Sequence, residues 1–240
     1  MLHYDFDWSV LWRHPYGKML LQGVWTTVHL SLLAWAIALP VGVAIALCRI
    51  MPCRPARLVG GAYVETLRNI PLLVQLFFWY FAVPSLLPGK TERWLYANVR
   101  DLSYVLGVLA LGTYTAARVA EAVRSGLLAV PAGQFRAALS TGLSPAGTYR
   151  HVILPYALRV VIPLLSTEFL TCFKNSSLAM TIGVMETTGM ANYIDSFTFH
   201  GLETTTAASL VYLLTSLSVI VLMSRIESKM RIPGMIARER

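Results

Sequence analysis

Between Gly23 and Leu47 the chain carries no Asp, Glu, Lys or Arg. A run of that length crosses about 30 Å of hydrocarbon as a helix. In lipid, backbone polar groups must be satisfied inside the protein, so a membrane-spanning chain forms helices or a closed barrel. The run is too long for a barrel strand and reads as a helix. Four more segments repeat the pattern with interruptions. The spans are predicted at about 23–47, 65–87, 103–122, 160–184 and 204–224. Residues 20–230 then form one all-α membrane protein with five transmembrane helices.

Only 13% of residues are charged and 56% are hydrophobic, where a soluble domain carries about a quarter charged residues. The net charge of +8 follows the positive-inside rule. Of the 20 Lys and Arg, Arg49, Arg54 and Arg57 follow the first span. Arg124, Arg136, Arg150 and Arg159 surround the segment between spans three and four, and Arg225, Lys229, Arg231, Arg238 and Arg240 close the chain. Arg13, Lys18, Lys90, Arg93 and Arg100 fall on the other side. The N-terminus is therefore predicted outside and the C-terminus inside, with residues 1–19 an interfacial segment and 231–240 a cytoplasmic tail. Trp8, Trp12 and Tyr16 recur every fourth residue and are expected on one face of a short helix. Residues 1–16 hold no apolar core of a signal peptide, so the first span is expected to direct its own insertion. Pro40 and Gly42 suggest a kink within it. Membrane lipid is the expected surrounding; no nucleic-acid partner is expected.

Enzyme chemistry is not indicated. The five histidines (His3, His14, His29, His151 and His200) have no metal-ligand spacing, and no metal or cofactor site is expected. Cys48, Cys53 and Cys172 have no metal or disulfide spacing and read as small hydrophobes. Gly89-Lys90-Thr91 resembles the end of a phosphate loop, but Pro84 stands where the loop needs its first glycine and no strand precedes it. Any ATP hydrolysis is expected in a separate chain. His29 reads as a packed or bonded core residue.

Charges at membrane depth are costly and need partners or water. Glu65, Arg68 and Gln75 align on one helical face with Asn69 beside them. Arg118 and Glu121 stand at i,i+3 and are expected to pair. Glu168 and Lys174 interrupt the fourth span, and Asn175 extends its polar stripe. These nine are the candidate substrate-pathway residues, read against the alternative of structural pairs near the interface. Opposed charges suit an amino acid's ammonium and carboxylate.

Residues 131–155 lack the apolar character of the spans around them and are too long and regular for a simple connection. Pro131 suits a helix start, Gly142 a positive φ, and Ser144-Pro145 an N-cap with a first-turn proline. Two short helices joined by a turn would make a knuckle between spans, a handle for a soluble partner. Ala137-Ala138, then Gly142, then Val152-Ile153-Leu154-Pro155 resembles the E-A-A-x3-G-x9-I-x-L-P loop of ATP-binding-cassette importer permeases. Arg136 stands where that pattern has its glutamate. Residues 65–81, Lys174 to Ser177 and the ending Ser224 to Gly234 extend the resemblance to the polar amino-acid (histidine/glutamate/glutamine) permeases, nearest the glutamate/aspartate type.

That resemblance implies a permease subunit of the bacterial inner membrane. It implies two ATPase subunits, a homologous permease or second copy, a periplasmic solute-binding protein and an amino-acid substrate. It assigns Arg136, Ala137, Ala138, Gly142, Leu143, Ser144, Leu154 and Pro155 to coupling with the ATPase. Glutamine or a basic amino acid is the alternative cargo. A secondary transporter or channel is the less favoured class, since no inverted repeat and no filter-like loop is visible.

Overall fold

The computed structural model describes residues 4–230. The expected tail at 231–240, with Arg231, Arg238 and Arg240, lies outside them, as does His3. The first element is one 3₁₀ turn, Trp8–Leu11, so Trp8, Trp12 and Tyr16 do not share a helix; Trp12 is fully out in the open.

Helix α1, Tyr16–Ile50, has 35 residues and is about 52 Å long at 1.5 Å per residue, well beyond the hydrocarbon thickness. Its buried stripe is Gly23, Thr27, Ser31, Ala34, Ala38, Gly42 and Ala46, spaced by three or four. Small residues at that spacing let two helix backbones approach closely. The approach is to α6, Leu102–Leu128, which answers with Gly112, Ala116 and Ala120; this is the most extensive helix pair in the molecule. A Cβ added at Gly42 would lie 2.6 Å from the Val119 side chain and 2.8 Å from the Ala116 carbonyl. Gly42 therefore serves contact rather than a kink, and α1 runs through Pro40 as one helix.

The second span is broken. Helix α2, Arg54–Asn69, stops at Ile70 because the following Pro71 pushes it to an extended backbone of φ −95, ψ 129. Helix α3, Leu72–Phe77, then continues through a π turn at Phe78–Ala82 into α4, Val83–Ser85. The two halves bend by 106°. Glu65, Arg68 and Gln75 thus do not lie in line on one helix. Gln75, 5% exposed, instead donates to the Leu67 carbonyl at 2.7 Å and the Ile70 carbonyl at 2.9 Å. Those carbonyls lose their helical partners at the break, and the amide supplies one.

The connection expected as a loop at 88–102 contains α5, Gly89–Asn98. After α6 come α7, Ala132–Ser140, and α8, Pro145–Thr148. A π turn at Tyr149–Ile153 leads into α9, Leu154–Asn175, which passes into a 3₁₀ stretch at Ser176–Ile182. The fourth span therefore starts earlier than expected and ends in a tighter coil. The segment between the fourth and fifth predicted spans is mostly helix α10, Thr187–Thr198, packed on α1 and on the last span, α11, Gly201–Met230. Among the described residues four helices are long and apolar enough to cross a membrane, five if the bent pair counts as one span, the number the sequence predicts. Leu30, Ala34, Leu76, Leu111 and Ile182 form one buried cluster; Ala38, Val64, Val119, Val123 and Val161 form a second.

Candidate functional site

The intramembrane charges pair across helices, not along them. Arg118 of α6 reaches Glu168 of α9 through Nε at 2.5 Å and Nη2 at 3.2 Å, instead of Glu121. This two-point contact suits a carboxylate, and it neutralises both groups where water is scarce. Glu121 gathers three guanidiniums: Arg49, Arg124 at 3.1 Å and Arg68 at 3.7 Å. The hub ties the end of α1 to α2 and α6. Glu65 and Asn69 are exposed, and Glu65 has no ion pair among the described residues.

Lys174 sits at the last turn of α9, exposed, with no carboxylate partner among the described residues. It opens on a cavity of about 510 Å³ whose wall also holds Ser177, Thr181, Thr188, Tyr212 and Ser216, together with the apolar Leu178, Met180 and Leu213. A second cavity of about 350 Å³ adds Asn192, Thr205 and Ser209. Thr188 and Tyr212 line both. Volumes of this order suit small solutes. The Ser177, Thr181 and Tyr212 hydroxyls already donate to the Lys174 and Leu178 carbonyls and to Glu186, so the Lys174 ammonium, with three N–H donors, is the group in this wall that fits a carboxylate. Asn175, half buried, adjoins this wall.

Sequence reasoning missed the support behind this wall. Glu186 is 0% exposed. Its carboxylate accepts from the Tyr212 hydroxyl at 2.5 Å, the Gly189 amide at 2.8 Å and the Thr27 hydroxyl at 3.2 Å. It caps α10 while tying it to α1 and α11. Those donors occupy it, so it positions Tyr212 and is not left over for a solute. Only the placement of an acid before Thr-Thr-Gly hinted at this cap. Glu203, also 0% exposed, accepts from the Tyr4 hydroxyl and from the Asp7 amide at 2.7 Å, so the N-terminal strap closes over the start of α11. The Ser9 hydroxyl and amide, with Arg13 beside them, hold the Asp7 carboxyl below its ordinary range. His29 is bonded to Tyr104 and stacked between it and Trp25, but it is exposed and not in the core.

The stretch at 131–155 has the local form its residues suggest. Gly142 has φ 87, and the Ser144 hydroxyl accepts from the Gly147 amide at 3.1 Å. Pro131 is the N-cap residue and not the first helical one. Phe135 and Tyr149 meet edge to face at 5.5 Å, closing α7 on the π turn that follows α8. Arg136 and Ala137 are exposed; Ala138 is buried; Leu143 is half buried and Ser144 exposed. Leu154 is exposed and Pro155 half buried at the start of α9. Among the described residues no group of three or more His, Cys, Asp or Glu is placed to hold a metal ion.

Comparison with known proteins agrees with this architecture. The family model for binding-protein-dependent transport system inner membrane components matches residues 38–232. The glutamate/aspartate import permease protein GltJ of Escherichia coli (strain K12) is 38% identical over 238 residues, covering 96% of this chain and 97% of that protein. A probable glutamine ABC transporter permease, GlnM of Bacillus subtilis (strain 168), is 33% identical, covering 89% and 94%. The crystal structure of an amino acid ABC transporter with histidines superposes with a TM-score of 0.82 at 30% identity, covering 94% of this chain and all of that one. The MetNI methionine transporter shares the fold, with a TM-score of 0.70 at 20% identity over 92% of this chain and all of that one.

Proposed function

The chain belongs to the binding-protein-dependent transport system inner membrane components, and from that premise we propose that it carries a polar amino acid, with glutamate and aspartate its first candidates. It is a permease subunit of an ATP-binding-cassette importer, working in the membrane with ATPase partners. The acidic cargo rests on the likeness to GltJ and above all on one observation: the Lys174 ammonium, without an ion-pair partner among the described residues, at a cavity that also holds Ser, Thr and Tyr side chains. Among the candidate pathway cations, Arg118 is already neutralised by Glu168 and Arg68 lies near Glu121, while Lys174 has no carboxylate partner among the described residues. Glutamine is the second reading, favoured by the likeness to GlnM.

In this reading, ATP binding closes the ATPase pair and α7–α8 carries the motion to α9. Between Val130 and His151 the segment has Arg136, Arg150 and His151 but no Asp or Glu, so its counterpart on the ATPase is acidic. The motion opens the Lys174 cavity alternately to each side. A solute-binding protein delivers cargo at the outer face, with the N-terminus outside, and a homologous permease or second copy completes the path. ATP itself is bound by the ATPase chains.

The experiment is uptake into vesicles holding the complete transporter, with labelled glutamate, aspartate, glutamine and arginine, with and without ATP. ATP-dependent uptake of the two acidic amino acids supports the proposal. ATP-dependent uptake of glutamine alone replaces the cargo, and uptake that follows an ion gradient without ATP overturns the coupling.

A further inference from the structure

Helix α5 stands apart from the transport machinery. It has no buried residue, and its packing neighbour is the short α4. Its apolar residues do not face a core: Trp94 is 60% exposed and Tyr96 57%. Lys90 and Arg93 project from the same helix and Arg100 follows it, all exposed. None of the three has an ion-pair partner among the described residues. Arg93 Nε donates to the Gly89 carbonyl at 2.9 Å, which lays the guanidinium along the helix and leaves its outer edge open. The nearby carboxylate of Asp101 is committed to capping α6 through the Tyr104 amide.

Chain length decides where this helix lies. Leu86–Pro88 link it to the end of α4, and Val99–Asp101 link it to the start of α6. Four Cα steps reach at most about 14 Å. Both neighbours are spans, so α5 is held close to the level where hydrocarbon gives way to headgroups. Trp and Tyr favour that level because one side of the ring system is apolar and the other end polar. Tyr104, at the start of α6, and Trp25, stacked with His29 beside it, add aromatic side chains near the same end. Three cations on this side also run against the charge bias of the other loops. A helix that joins exposed Trp and Tyr to unpaired Lys and Arg fits an anionic lipid surface.

We propose that α5 is an interfacial anchor that binds anionic phospholipid headgroups, with Lys90, Arg93 and Arg100 meeting the phosphates and Trp94 and Tyr96 entering the headgroup layer. A soluble protein docked on the same helix is the competing occupant. It is disfavoured because α5 is tied close to the bilayer at both ends.

A nitroxide at Tyr96→Cys, in a Cys48→Ala, Cys53→Ser background, tests this in the complete transporter. Vesicles contain either phosphatidylglycerol with phosphatidylethanolamine, or phosphatidylcholine alone. Relaxation by oxygen and by a water-soluble nickel chelate is compared. In the anionic vesicles, oxygen is expected to reach the label better than nickel. In phosphatidylcholine, or with Lys90→Gln, Arg93→Gln and Arg100→Gln combined, nickel access is expected to rise. Each lost cation is worth up to about fivefold in the ratio of embedded to free helix. High nickel access in both lipids, or equal embedding in both, overturns the proposal. A label shielded from both reagents also overturns it and points to a docked protein.

Discussion

The α1–α6 seam and the α9–α10–α11 sector are built on opposite plans. The seam sets Gly42 on Val119 and Gly112 on Ile37, a glycine on one helix against a branched side chain on the other. Its stability comes from close contact between small surfaces. The other sector carries hydroxyls, two cavities and a buried carboxylate. Its helices are held by directed bonds at a few points and leave space between them. A transporter needs both, a part that transmits force without yielding and a part whose walls can separate. In the proposed cycle, the close-packed seam is the part that stays rigid and the sector with the cavities the part that opens.

The largest expected effect strikes the seam. Gly42→Leu puts a side chain where Val119 and Ala116 already lie. Overpacking of this kind costs about 1–3 kcal/mol or more, and the expected result is loss of most folded protein from detergent extracts. Gly133→Ala, in open space, is the matched control and leaves the melting temperature unchanged. If Gly42→Leu melts like the wild type, the seam is not tight.

Glu186→Ala comes next. It strands the Tyr212 hydroxyl and the Gly189 amide, at about 1–3 kcal/mol for a buried group left unpaired. Hydrogen exchange is expected to rise in α10 and at the start of α11 but not along α6. Exchange that rises uniformly means the two regions are one cooperative unit.

Lys174→Met separates function from fold. A hydrogen bond to a charged group is worth about 1.5–3 kcal/mol, so the half-saturating concentration for glutamate is expected to rise roughly ten- to a hundredfold. Thermal stability stays put, and a glutamine transporter would be far less affected. An unchanged half-saturation removes Lys174 from the cargo site.

The Arg118–Glu168 pair bridges the two regions. Arg118→Glu and Glu168→Arg are each expected to reduce uptake, and the double swap to restore part of it. Absence of any recovery argues that the two side chains act separately.

The smallest effect is at the strap. The folded-state Asp7 carboxyl titrates below its ordinary value, chiefly because the Ser9 hydroxyl donates to it. A depressed carboxylate stabilises the fold above its unfolded pKa, near 3.9, and that contribution disappears as pH falls through the folded value. Asp7→Asn should flatten the acid limb of strap unfolding followed by Tyr4 fluorescence. An unchanged limb assigns it to Glu203.

Much of this was legible in the residues. Uncharged runs announced the spans because lipid solvates no backbone amide. Gly142 and Ser144-Pro145 announced the turn between α7 and α8, since positive φ and N-capping are local chemistry. The acids and bases near the site were recognisable as candidates one by one. Their partners were not. Arg118 and Glu121 share a helix face, yet Arg118 turns to Glu168, fifty positions away, and no spacing rule reaches that far. Gln75 looked like part of a polar face and instead mends the break at Pro71. Glu186 lay between the fourth and fifth predicted spans, where nothing in the residues tied it to Tyr212 or Thr27.

The sequence by itself determined an all-helical chain in lipid, its five crossings and the form of its knuckle. Each follows from a residue's own solvation or backbone preference. Only the tertiary structure decided which charges neutralise each other and that Lys174, among the candidate pathway cations, has no carboxylate partner among the described residues. It also decided which glycine is a contact and which acid is a strut. Those depend on distances between segments remote in sequence, and a carboxylate at membrane depth pairs with whichever donor the packing brings to it.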